Sequence, residues 1–97
     1  MSDAASETGV VHDTDAQQFR VGDGEGAAVL QYGRTDKQIR FLHTLVPEAF
    51  RGQGVAQKLA HAGIEHAKAE QLRVVPICPF VQSYLKKHPA YQSLVEG

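Results

Sequence analysis

His43-Thr44-Leu45-Val46-Pro47-Glu48-Ala49-Phe50-Arg51-Gly52-Gln53-Gly54-Val55-Ala56 is the stretch on which the fold turns. It begins as the end of an apolar run, breaks at a proline, and passes two closely spaced glycines into a helical pattern. Upstream, residues 38–46 alternate. Ile39, Phe41, His43 and Leu45 fall on one face by period two, and Leu42, Thr44 and Val46 on the other. Both faces of the C-terminal half read as covered, which marks a strand central to its sheet. Downstream, Val55, Ala56, Leu59, Ala60, Gly63, Ile64 and Ala67 recur at three- and four-residue steps. That spacing predicts a long helix from Gly52 or Gln53 to Gln71 with one apolar stripe. Residues 72–77 are short, β-branched and apolar, as a buried strand is. Returning after a long helix, this strand should run parallel to residues 38–46 through a right-handed crossover.

Working outward, residues 17–21 read as a first strand with Phe19 and Val21 on one face. The glycine-rich residues 22–26 read as a turn, and residues 27–32 as a second strand, completing a hairpin. Residues 79–87 carry Phe80, Val81, Tyr84 and Leu85 at helical spacing, and His88-Pro89 stops them. Residues 91–95 suit one last turn. The order is β-β-β-α-β-α. This is an α+β fold with a small mixed sheet, antiparallel strands followed by one parallel β-α-β unit, and a C-terminal helix. Residues 1–9 are small and polar and read as a flexible tail, leaving residues 10–97 as a single domain.

A chain of 97 residues supports one core. Its net charge of −1 argues against a nucleic-acid partner, which would ask for a basic surface. The one cysteine, Cys78, cannot form an internal disulfide. No run approaches the roughly 20 apolar residues of a membrane span, and the N-terminus lacks the basic and apolar regions of a signal peptide. The expectation is a cytoplasmic protein without a membrane partner.

The glycines at the helix entry carry the chemistry. The first N–H groups of a helix have no partner within it and point along a dipole whose positive end favours anions. A phosphate placed there collects several hydrogen bonds at once. Glycine keeps Cβ atoms away from the phosphate oxygens, and Arg51 adds a forked cation. A P-loop would need glycine and lysine where Gln57 and Lys58 stand. A dinucleotide fingerprint would need a third glycine at Gln57. The pattern that remains is Arg/Gln-x-x-Gly-x-Gly/Ala, which Arg51-Gly52-Gln53-Gly54-Val55-Ala56 matches. A glycine-rich helix cap with a solvated arginine is the alternative reading of those six residues.

Taken with Tyr32, His43-Thr44-Leu45-Val46-Pro47, Pro76-Ile77-Cys78-Pro79 and His88-Pro89-Ala90-Tyr91, the motif resembles the GNAT superfamily of acetyltransferases. The likeness is to its short, truncated members of about a hundred residues. The resemblance implies a GNAT core and acetyl-CoA as ligand. It implies a pyrophosphate on the amides of Gln53, Gly54, Val55 and Ala56, beside Arg51 and Gly52. It further implies a pantetheine arm paired along Leu45 and Val46, and two parallel strands that splay to admit the thioester. A full-length member has two helices after its first strand and a closing pair of strands. Here a turn replaces the helices, and the chain ends soon after Tyr91, so the acceptor site should be open or completed by a protein partner.

Three side chains are candidates for catalysis. Cys78 precedes the helix beginning near Pro79, and a helix N-terminus lowers a thiol pKa where exposure permits. The short family carries a cysteine there, which suggests acyl transfer through it or assisted by it; plain packing is the alternative. His43, near the strand end, suits a general base, since histidine titrates near neutrality; a histidine packed on the sheet is the alternative. Tyr84 resembles the tyrosine many GNAT enzymes use to protonate the leaving thiolate, and otherwise reads as a core aromatic. Asp13, Asp15, His12, His61, His66 and His88 show no metal-ligand spacing, and Glu65 and Glu70 read as a solvated face. The leading expectation is an N-acetyltransferase moving acetyl from acetyl-CoA to an unidentified amine, with no metal. A CoA- or acyl-CoA-binding module without turnover is the runner-up, and a plain interaction protein is third.

Overall fold

Strands β1 (Val11–Asp13), β2 (Gln18–Val21), β3 (Ala28–Arg34), β4 (Gln38–Leu45) and β5 (Arg73–Pro76) lie in sequence order in one five-stranded sheet. This is seen in a computed structural model that describes residues 9–22 and 26–95. The first four strands pair antiparallel, and β4 pairs parallel with β5. Helix α1 (Val55–Ala69) makes the crossover, and α2 (Pro79–Lys87) follows β5. The α+β order expected from the sequence is present, with β1 added in front. β1 escapes a periodicity reading because it is three residues long and offers one apolar side chain on each face at most. Its return turn is fixed by the Ala16 N–H donating to Asp13 Oδ1 at 3.1 Å, and by Gln17 at φ 54°. The tail expected over residues 1–9 lies outside the described residues apart from Gly9, and the turn at residues 22–26 lies partly outside them.

The core sits on one face of the sheet. α1 presses Val55, Leu59, Ala60, Gly63, Ile64 and Ala67 against the strands, and α2 adds Val81, Tyr84 and Leu85 to the same cluster. Each large aliphatic side chain so buried contributes about 1.5–3 kcal/mol. Gly63 is where α1 comes closest. A Cβ there would lie 2.7 Å from Cε1 of Phe41, itself fully buried. The opposite sheet face keeps only half-buried and exposed positions.

Two expectations at α1 are corrected. The helix opens at Val55 rather than Gly52 or Gln53, because Gly52 (φ 81°) and Gly54 (φ 72°) are both left-handed and cannot propagate a right-handed turn. It ends at Ala69 rather than Gln71. Gln71 is left-handed at φ 59°, and the Leu72 N–H closes the end on the Ala67 carbonyl at 2.8 Å. Beyond α2, residues Pro89–Leu94 form a 3-10 turn, and Val95 bridges Val74 at the outer edge of β5.

In β4 the alternation expected over residues 38–46 breaks. Gln31 pairs with His43, yet its neighbour Tyr32 pairs with Phe41, so Leu42 is an extra residue without a cross-strand partner. Such a β-bulge reverses the side-chain phase. Ile39 and Phe41 point into the core; past the bulge, Thr44 turns inward, opposite Leu30. His43 and Leu45, expected to share a face with Phe41, stand on the open face opposite Gln31 and Val29. Both are exposed, as is Leu42, so the second face of this strand is not covered as its composition suggested.

Candidate active site

β4 and β5 separate where the bulge begins. Their pairing runs from Gln38–Arg73 to Phe41–Pro76 and stops there. The next two amides of the β5 chain, Ile77 and Cys78, both fold back onto the Phe41 carbonyl at 3.1 and 2.8 Å. Gln82 of α2 donates from Nε2 to the Pro76 carbonyl at 2.9 Å, satisfying a group that the split would otherwise strand. β4 continues to Leu45 paired only with β3. Among the described residues nothing pairs the side of residues 42–45 that faces the split. The result is a V between two parallel strands, with a free backbone edge along one arm.

That arm leads into the glycine turn. Pro47 starts a 3-10 turn over Glu48–Phe50, closed by Phe50 N–H to Pro47 O at 2.9 Å and Arg51 N–H to Glu48 O at 3.1 Å. The Gln53 side chain donates to the Ala49 carbonyl at 3.0 Å, and Arg51 Nε to that of Val46 at 3.4 Å. The left-handed Gly52 and Gly54 then swing the chain into α1, and no side chain caps the helix. The entrance from Arg51 to Gly54 is exposed, while the Val55 side chain is buried. A Cβ built on Gly52 or Gly54 would meet nothing within 4 Å, so these glycines are set by backbone angle and leave open space over the amides. Unpartnered N–H groups, an exposed arginine and clear approach suit a diphosphate. The donor set here is backbone nitrogen and arginine; among the described residues no group of His, Cys, Asp and Glu could hold a metal ion.

The sequence-derived catalytic candidates divide between two places. Cys78 is buried, 3% exposed, at the cap of α2, and its Sγ lies 3.3 Å from Thr44 Oγ1 across the split. His43, turned out by the bulge, lies along the same strand on the open face. Tyr84 is elsewhere: its hydroxyl is 3.3 Å from Nδ1 of His61 on α1, its ring stacks on His88 at 4.1 Å, and burial, then Glu65, raise its pKa. It lines an open groove of about 890 Å³ over the exposed side of α1, which reaches Gln53 and Gly54 at one end. Tyr84 therefore communicates with the glycine turn rather than with Cys78.

Thr44, His61 and Gln82 were not singled out by sequence, because each acts through a tertiary partner. The inward turn of Thr44 also depends on a bulge that leaves no periodic trace. Glu65, read as solvated, accepts a 2.6 Å hydrogen bond from the Tyr91 hydroxyl, and chiefly through that bond the Tyr91 pKa is pushed up to about 12. A further cluster lies on the far flank of α1. His12 stacks on Phe19 at 4.2 Å, meets His66 edge-on at 4.4 Å and hydrogen-bonds the Tyr32 hydroxyl at 2.5 Å. Nε2 of His66 is buried without a hydrogen-bond partner. Burial lowers the pKa of both histidines, with His66 and Arg34 pushing His12 further down.

The chain is similar to known proteins along most of its length. Residues 18–94 match the family of GCN5-related N-acetyl-transferases. Protein NATD1 of Xenopus tropicalis is 37% identical over 95 residues, covering 95% of this chain and 87% of the relative. Protein NATD1 of Homo sapiens is 39% identical over 88 residues, covering 88% and 78%. A GCN5-like protein from Staphylococcus aureus, solved in solution by NMR, superposes with a TM-score of 0.71 at 32% identity, covering 91% of this chain and 87% of that one. No helix among the described residues is long and apolar enough to cross a membrane. The glycine turn, the splayed strands and this agreement along nearly the whole chain make the protein a member of the GCN5-related N-acetyltransferase family.

Proposed function

We propose that the protein binds acetyl-CoA in the V between β4 and β5 and transfers the acetyl group to an amine. One observation carries the reading: the free edge of β4 runs directly into a turn of unpartnered amides. An arm of amides joined to a diphosphate needs that continuity, and a helix cap alone does not. In this reading Leu45 and Val46 pair with the pantetheine arm. Arg51, Gly52, Gln53, Gly54, Val55 and Ala56 hold the diphosphate. Bound there, acetyl-CoA supplies an activated acyl group.

The chain's own residues supply position and protons. His43 takes a proton from the attacking ammonium. The amine nitrogen then bonds the acetyl carbon, the carbon–sulfur bond breaks, and the nitrogen's second proton passes by way of solvent to the departing thiolate. Solvent then takes the proton from His43 and resets it. Tyr84 stands apart from this step, with its hydroxyl beside His61 on the groove over α1. Its bond to His61 keeps that hydroxyl turned toward the groove. Cys78 assists from the inner end of the V, where its burial against Thr44 favours a wall over an exposed nucleophile.

The test mixes protein, acetyl-CoA and a panel of amines and follows release of free thiol. His43→Ala should lower kcat by about a hundredfold or more, whereas Tyr84→Phe and Cys78→Ser should retain turnover. Tight coenzyme binding with no thiol release for any amine would leave a binding module in place of a transferase.

A further inference from the structure

The reaction above leaves the acceptor unnamed, and the open face of the sheet bears on it. Residues that share this face can be read from the register. Val29 stands opposite Leu45, Gln31 opposite His43, Gly33 opposite Arg40, and Arg40 opposite Val75 on β5. Arg40 therefore has a glycine on one side and a half-buried valine on the other, and no neighbouring side chain covers it. It lies one residue, about 3.3 Å, before the point where β4 and β5 part. Beyond it on the same face stand His43 and a group of exposed apolar side chains: Leu42 (38% exposed), Leu45 (60%) and Ile77 (50%).

The charge of this face is one-sided although the chain as a whole is at −1. Across all five strands the one carboxylate is Asp13, at the far edge, with Arg20 Nε 4.0 Å away. Arg34 turns to the helix side, where it lies 3.6 Å from Glu70. Arg73 spends its guanidinium on the carbonyls of Ser93 and Val95. The guanidinium of Arg40 has no partner among the described residues. An exposed guanidinium presents a planar fork suited to a carboxylate. A polyamine or a lysine-rich tail would bring more positive charge to a face whose one strand carboxylate, Asp13, lies at the far edge beside Arg20.

We propose that the acceptor is a small amine bearing its own carboxylate and an apolar body, an amino-acid-type substrate. Its carboxylate is held by Arg40, its body by Leu42, Leu45 and Ile77, and its nitrogen is directed at the V beside His43. This rests on the transferase reading and deepens it. The step stays balanced. The ammonium nitrogen gains the acetyl carbon and loses two protons, one to His43 and one by way of solvent to the departing sulfur. Arg40 determines specificity and takes no part in bond making.

The experiment titrates isotope-labelled protein, without coenzyme, with L-leucine, L-leucinamide and spermidine, and follows backbone amides by NMR. Leucinamide keeps the amine and the apolar body and removes only the carboxylate charge. Leucine is expected to shift the amides of Arg40, Leu42 and Ile77 and to bind about tenfold more tightly than leucinamide, the scale of one charge-assisted fork. Arg40→Gln should erase that difference, and Arg40→Lys should restore part of it. Melting curves show whether each variant is folded. Equal binding of leucine and leucinamide, preference for spermidine, no shift with leucine, or an unchanged difference in Arg40→Gln would each overturn the proposal. Because this readout needs no coenzyme, its failure is distinct from failure of the transferase reading, which a melting curve with acetyl-CoA reports separately.

Discussion

Thr44 Oγ1 lies 3.3 Å from Cys78 Sγ, the contact that ties the two arms of the β4–β5 split together at its inner end. Cys78 is 3% exposed there, so a reagent reaches the thiol only when α2 or the split opens locally. The native thiol is expected to react with Ellman's reagent at least about a hundredfold more slowly than in the denatured chain, equivalent to roughly 3 kcal/mol of opening. Thr44→Val, which removes the hydroxyl but keeps the shape, should change the melting temperature little and modestly speed the reaction. Complete modification of the native thiol within mixing time would contradict the placement.

Gly54→Ala separates binding from folding. At φ 72° an alanine costs about 1 kcal/mol of backbone strain, yet its Cβ meets nothing in the protein. The variant should therefore fold, with a melting temperature lowered by a few degrees. It should lose coenzyme affinity by a much larger factor, because the added methyl occupies the approach to the amides. Calorimetric titration with CoA measures the second effect; equal small losses in both would remove this turn from the site.

Gly63→Ala tests the packing of α1 on the sheet. Alanine would gain about 1 kcal/mol of helix propensity on an open surface. Here its Cβ would sit 2.7 Å from Phe41 Cε1 and 3.3 Å from Leu30 Cδ2, and neither side chain is free to move. Overpacking of this kind costs about 1–3 kcal/mol. The net expectation is a destabilised protein, read as a lower urea midpoint with unchanged slope. A stabilised variant would mean that the helix stands further off the sheet.

Stability should fall on mild acidification through His12 and His66. Both have pKa values lowered by burial, so the folded state binds fewer protons than the unfolded chain. Their neutral-state stabilisation is complete above the unfolded value of about 6.5 and is lost as pH falls from there through the lowered folded values. Asp13 and Glu70 moderate the loss at His12, and Arg34 adds to it at both rings. His66→Leu removes the orphaned Nε2 and should flatten urea stability between about pH 7.5 and pH 5.5. A variant with the parent's pH slope would assign the loss to other groups.

Much of the fold and part of the site were legible in the sequence, for physical reasons. Apolar side chains at three- and four-residue steps can only be buried by a helix, so α1 and its crossover to β5 follow from Leu59, Ile64 and Ala67. The glycines announced a turn because few residues but glycine hold φ near 80°, although the same angles delay the helix until Val55. What stayed hidden depends on single residues or distant partners. Leu42 looks like any strand residue, yet as a bulge it turns His43 out and Thr44 in. Three residues of β1 carry too little pattern to read, so the contact of His12 with His66 and Tyr32 was unforeseen. Tyr91 and Glu65 lie 26 positions apart, and nothing local couples them.

The most direct test follows the backbone amides of isotope-labelled protein by NMR as CoA is added. The account expects the largest shifts at Gln53, Gly54, Val55 and Ala56, with a second set at Leu45 and Val46. It also expects a rise in stability of roughly 2.7 kcal/mol at a hundredfold excess over Kd. Amides that stay in place, together with an unmoved melting temperature at saturating CoA, would contradict it.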